Sequence, residues 1–131
     1  MSGPGLESKG IWPALTVNDI PKSLAFYVAG LGFTVVEEMK NDDGSVRFAR
    51  LKAGAAQFAI GQDDWAKGKD RKKGVGLRFW AGTTQDIHAL AARAKAAGIK
   101  LDNEVEALPW GPLAFAVTDP DGFALTIVSE A

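Results

Sequence analysis

The side chains able to do chemistry in this chain are few, and thiol nucleophiles are not among them. There is no cysteine and a single histidine, His88, so thiol nucleophiles, thiolate metal sites and disulfides are excluded. Tryptophan is plentiful by contrast, with Trp12, Trp65, Trp80 and Trp110 in 131 residues. Four polar residues stand at positions from which they could orient a ligand: Thr16, Gln57, Arg78 and Thr126. Indole rings give flat apolar faces, and an arginine gives a planar fork for carboxylate or carbonyl oxygen. That combination suits a small-molecule pocket. The same tryptophans would also serve to fill a curved sheet or an interface between subunits, where they are enriched, and Arg78 could equally pair with a surface carboxylate.

Period-two and helical patterns say which elements hold these residues. Ile11–Val17 alternates as a strand, with Pro13, Leu15 and Val17 on one face and Trp12, Ala14 and Thr16 on the other. Asn18 or Asp19 caps a helix with Pro21 in its first turn, and Gly30 or Gly32 ends it. Strands are expected at 33–39, 46–51 and 55–60, divided by the hairpin signals Asn41-Asp42-Asp43-Gly44 and Lys52-Ala53-Gly54. On the fourth strand Gln57 opposes Ala56, Phe58 and Ile60. Parity does not decide which of Arg47 and Arg50 shares its face.

After a polar stretch at 61–73 the order repeats. A strand is expected at 75–81, with Val75, Leu77 and Phe79 on one face and Gly76, Arg78 and Trp80 on the other. A helix follows at 84–97, with Ile87, Leu90, Ala91 and Ala94 at helical spacing. Three more strands are expected near 99–105, 113–117 and 123–128. The last two flank Asp119-Pro120-Asp121-Gly122, a tight turn in which proline presets φ and glycine takes the positive φ. Thr126 faces away from Phe123, Leu125 and Ile127, and Trp110 stands at the mouth of this hairpin.

Asp19-Ile20 and Asp86-Ile87 open the two helices, and Gly32-Phe33-Thr34-Val35 and Gly98-Ile99-Lys100-Leu101 leave them alike. Two βαβββ modules in one domain follow. Their order, with Leu15-Thr16-Val17-Asn18-Asp19, Ser23-Leu24-Ala25-Phe26-Tyr27, Leu31-Gly32-Phe33 and the tail from Trp110-Gly111 to Ile127, resembles the vicinal oxygen chelate superfamily. That family contains glyoxalase I, extradiol dioxygenases, and fosfomycin- and bleomycin-resistance proteins. The resemblance implies an α+β fold whose two βαβββ modules form a curved mixed sheet around a cleft, and usually a homodimer. It divides the chain into a flexible segment at 1–10 and one domain at 11–131, with module one at 11–62, a linker at 63–73 and module two at 74–129.

The family's metal enzymes carry a His or Gln on the first strand, a Glu on the fourth, a His on the fifth and a Glu on the last. The matching positions here are Trp12, Gln57, Gly76 and Thr126. Only Gln57 has an oxygen that commonly ligates metal, and it is neutral, so neither a metal nor any other cofactor is expected. His88 lies on the second helix beside Ile87, a surface position. The paired carboxylates Asp42-Asp43 and Asp63-Asp64 occupy turn and linker contexts.

The resemblance then points to the metal-free, bleomycin-resistance-like branch. The expected function is sequestration of a bulky, partly aromatic ligand by Trp12, Trp80 and Trp110, oriented by Thr16, Gln57, Arg78 and Thr126. Two alternatives stand beside it: a lyase, isomerase or dioxygenase with an atypical metal site, and a tryptophan-rich protein interface.

The net charge of −1 gives no overall basic excess for nucleic acid or membrane. The basic run Lys67, Lys69, Arg71, Lys72, Lys73 reads as a solvated, mobile linker or as an anion-attracting lip. The first nine residues lack the apolar core of a secretory signal, and a cytoplasmic protein is expected.

Overall fold

The computed structural model describes residues 3–130. The first half runs β1 (Ala14–Val17), α1 (Ile20–Leu24) continuing as a π-helical stretch (Ala25–Gly30), β2 (Thr34–Lys40), β3 (Val46–Ala53) and β4 (Ala56–Gln62). The second half runs β5 (Arg78–Thr83), α2 (Ile87–Ala96), β6 (Asn103–Ala107), β7 (Leu113–Thr118) and β8 (Ala124–Ser129). Each half is one βαβββ unit with its own four-stranded mixed sheet, ordered β1-β4-β3-β2 and β5-β8-β7-β6. In each sheet the edge strand β1 or β5 pairs in parallel with the unit's last strand, and the other pairings are antiparallel.

Local chemistry explains the boundaries. Asp19 caps α1 by accepting from the Lys22 N–H, and Asp86 caps α2 by accepting from His88 and Ala89 N–H. The π-helical register shows in the Leu31 N–H donating five residues back to the Phe26 carbonyl. Close approach to the second half accompanies it. A Cβ at Gly30 would lie 2.2 Å from Ile99, and Arg93 of α2 donates to the Val28 and Ala29 carbonyls.

Both sheets turn one face to a shared core, where Val17, Ile20, Tyr27, Leu51, Ile60, Phe115 and Val117 are fully buried. Tyr27 is its hub. Its ring meets Phe26, Phe33 and Phe58 edge-to-face at 4.9, 5.7 and 4.7 Å. Its hydroxyl donates to Asp119 at 2.7 Å, tying the first helix to the Asp-Pro-Asp-Gly turn of the second half.

Two expectations need correction here. The fifth strand begins at Arg78 rather than Val75, and Val75 and Leu77 are exposed instead of facing the core. The cause is a glycine kink: Gly74 and Gly76 both have positive φ, and a turn joins Leu77 N–H to the Gly74 carbonyl. The basic run also does not lie wholly in solvent. The Lys73 side chain is 4% exposed and pairs with Asp63 at 2.9 Å, donating also to Asn18 at 2.6 Å. Arg71 approaches the same carboxylate, and Trp65 takes a left-handed φ of 62° beneath the Lys69 and Lys73 ammonium groups. No helix among the described residues is long and apolar enough to cross a membrane.

Candidate functional site

The faces of the two sheets turned away from the core carry the candidate residues, and strand register fixes their rows. In the first sheet Ala14, Ala59, Arg50 and Glu37 form one row across β1, β4, β3 and β2, and Thr16, Gly61, Phe48 and Met39 form the next. Ala49 and Leu51 are buried in the core, so Arg50 and not Arg47 stands on the outer face with Gln57. Small residues make the centre of this face, and larger ones ring it.

Arg50 is held from three directions. Its guanidinium donates to Gln57 Oε1 at 2.8 Å, lies 3.8 Å from Glu37 and sits 5.8 Å over the Trp12 ring. The cation and the indole thus share one platform. Trp12 lies just before β1, which starts at Ala14, yet the Pro13 carbonyl still accepts from Ala59 N–H and keeps the segment against β4. Thr16 lies one row away beside Gly61, with no hydrogen bond to this cluster among the described residues.

On the second sheet Trp80, Thr126, Ala116 and Asn103 form a row, with Arg78 and Ala124 beside it. Arg78 Nη1 donates to Thr126 Oγ1 at 3.0 Å, and the Thr126 side chain is otherwise buried. The Trp80 and Trp110 rings lie 6.3 Å apart with a 39° tilt, both more than half exposed. Gly82 is covered, because the Glu130 side chain lies where its Cβ would be. The expected set therefore falls into two groups, Trp12, Gln57 and Thr16 on one sheet, where Arg50 joins the first two, and Arg78, Thr126, Trp80 and Trp110 on the other; Gln57 and Trp80 meet at one cavity.

A sequence model of the Glyoxalase/Bleomycin resistance protein/Dioxygenase superfamily matches residues 11–127. The chain belongs to that superfamily. Among solved structures, TioX from Micromonospora sp. ML1 superposes with a TM-score of 0.75 at 18% identity, covering 93% of this chain and 99% of TioX. A glyoxalase-related enzyme from Fulvimarina pelagi gives 0.71 at 20% identity over 94% and 89% of the two chains. Lactoylglutathione lyase from Agrobacterium tumefaciens gives 0.66 at 17% identity over 93% and 94%. At such identities the likeness speaks for the fold alone. No curated protein matches the chain.

The superfamily's metal positions can now be tested against the geometry. Gly76 is not on the fifth strand. It precedes the strand with φ +73°, and the strand residue that reaches Thr126 is Arg78. The set becomes Trp12, Gln57, Arg78 and Thr126: an indole, an amide already bound to arginine, a permanent cation and a hydroxyl. A guanidinium cannot ligate a divalent ion and repels one. These residues do not fit a metal, and the described residues contain no cluster of three His, Cys, Asp or Glu side chains that could hold one.

Two carboxylates away from these faces are tuned in opposite senses. Burial raises the Asp119 pKa above the usual carboxylate value, against the lowering effect of its Tyr27, Phe123 and Asp121 hydrogen bonds. The hydrogen bond from Lys73, with that from the Trp65 N–H, holds Asp63 below the usual value. Burial and the facing Asp119 push the Tyr27 phenol far above its ordinary range, so it stays a hydrogen-bond donor.

Sequence reasoning left Arg50 undecided and did not include Glu37, Phe48 or Met39 on the first face. The sequence carries no signal that separates Arg50 from Arg47; the burial of Ala49 and Leu51 does.

Proposed function

We propose that this superfamily member binds a bulky, partly aromatic small molecule without a metal and sequesters it rather than transforming it. The observation that carries the reading is the Arg78–Thr126 hydrogen bond at 3.0 Å beside the exposed Trp80–Trp110 pair. An arginine and a threonine stand where a metal enzyme would need imidazole and carboxylate, with two indoles beside them. Such a surface favours a ligand with fused rings and a carbonyl or carboxylate group. The Trp12–Arg50–Gln57 cluster offers the same chemistry on the other sheet.

Two copies pairing as a homodimer would set the first face of one against the second face of the other and enclose the ligand between tryptophans. Exposed Trp12, Met39, Trp80 and Trp110 give that pairing its apolar surface.

Elemental analysis of gently purified protein, coupled to fluorescence titration with anionic fused-ring aromatics such as 2-naphthoate, tests the reading. The expected result is no stoichiometric divalent ion, saturable quenching, and a loss of affinity of about tenfold or more in Trp80→Ala. A metal ion present at about one per chain, or quenching that never saturates, would overturn it.

A further inference from the structure

A cavity opens between the two sheets, mostly on their core side. It encloses about 260 Å3 and is walled by core-facing residues of both halves: Leu15, Tyr27, Phe33, Phe58, Phe79 and Leu125. It is a slot where the edge strands β1 and β5 leave a gap, with the exposed Trp80 and the half-buried Gln57 at its mouth. The tryptophan-bearing faces described above point away from it, apart from these two rim residues.

The slot is built for carbon. No charged side chain lines it. The Tyr27 hydroxyl is committed to Asp119, and Gln57 Oε1 is committed to Arg50. Its surface is mostly apolar, so an ordered water, which needs two to four polar partners, is poorly held there. A closed apolar cavity of roughly 150 Å3 takes up benzene, and this slot, open to solvent at its rim, offers about 260 Å3 for one or two rings. Tyr27, Phe33 and Phe58 already pack edge-to-face, with Phe33 and Phe58 at 5.3 Å, and a guest ring can extend that array. A charged guest would lose its hydration without compensation. At the rim the Gln57 side-chain amide nitrogen has no partner among the described residues, leaving a donor for one guest oxygen.

We infer that the slot between β1 and β5 is a binding site for an uncharged aromatic of one or two rings carrying a single hydrogen-bond acceptor. It shares its rim residues Trp80 and Gln57 with the anion-tolerant tryptophan faces and differs from them in its apolar, uncharged walls.

Titration of the full chain with 2-naphthol, followed by methyl NMR, tests this, with 2-naphthoate as the charged counterpart. Saturable shifts are expected at the Leu15, Ala81 and Leu125 methyls with 2-naphthol and not with 2-naphthoate. Ala81→Leu and Ala56→Phe narrow the slot from within and from its exposed edge, and each should weaken 2-naphthol binding at least about tenfold. Should Ala81→Leu fail to fold, Ala56→Phe decides, because Ala56 is exposed. The inference is overturned if the slot methyls stay silent, if 2-naphthoate shifts them equally, or if the narrowed variants bind unchanged.

Discussion

The two outer faces share a fold and differ in how each holds its arginine. On the first, Arg50 is gripped by Gln57, Glu37 and Trp12, so its charge is partly answered within the protein. On the second, Arg78 bonds among the described residues only to the neutral hydroxyl of Thr126, and Trp80 and Trp110 stand exposed beside it. The first face is preorganised and the second is electrostatically open. Duplicated units can thus keep one sheet topology while dividing the work of a site, one presenting a fixed platform and the other a free cation.

Substitutions can break this contrast, and the largest effect is expected in the segment entering β5. Gly74 has φ +76°, and a Cβ there would lie 2.2 Å from the Gly122 carbonyl oxygen. Gly74→Ala should cost about 3 kcal/mol or more and disorder the second face ahead of the first. Denaturant melts with hydrogen exchange resolved to each half would show it; equal loss in both halves would refute the separation.

Next comes the tie between halves. Tyr27→Phe removes the only hydroxyl facing Asp119 Oδ2 in the hydrogen-bond network described, at a cost of about 2 kcal/mol by chemical denaturation. The arginines themselves should differ. Arg50→Ala strips partners from both Gln57 and Trp12 and should cost about 1–2 kcal/mol, whereas Arg78→Ala frees one hydroxyl and should cost about 1 kcal/mol or less. The order in ligand affinity should reverse, because only Arg78 has charge to spare. Parallel melts and 2-naphthoate titrations of the two variants test that crossing.

The smallest effect is in pH dependence, where Asp63 and Asp119 work in opposite directions. The folded pKa of Asp63 lies below the ordinary 3.8, so its contribution is present above that value and is lost as pH falls through the folded pKa. The folded pKa of Asp119 lies above 3.8, so its contribution is complete below that value and is lost as pH rises through the folded pKa. Thermal melts of Asp63→Asn and Asp119→Asn against pH should therefore deviate from the parent with opposite slopes.

Element order was readable because alternation, helical spacing and the two Asp caps agree at every step, and the Asp-Pro-Asp-Gly turn fixes the final hairpin. The failures have local causes. Val75, Leu77 and Phe79 continue an alternating pattern through a segment that two positive-φ glycines bend out of the sheet. On β3, Val46 and Phe48 are as apolar as Ala49 and Leu51, so neither face announced itself as core and Arg50 stayed undecided. The π-helical stretch packs against Ile99, the Trp80–Trp110 contact spans 30 residues and Lys73 reaches Asn18 as well as Asp63, which no local period encodes. The slot between β1 and β5 arises from how the two halves meet, and so was invisible in either half's pattern.

The Asp63–Lys73 pair has a practical consequence for engineering. It closes the base of the intervening loop, with the Asp63 N–H bonded to the Val17 carbonyl and Lys73 bonded to Asn18. Because loop-closure entropy grows slowly with length, a guest peptide inserted among the exposed residues 66–70 need not loosen either sheet. A single protease cut there would leave two fragments still clasped through the ion pair and the shared core. The loop is a natural place to graft a tag, and a nicked chain that keeps its melting temperature would show that the clasp holds.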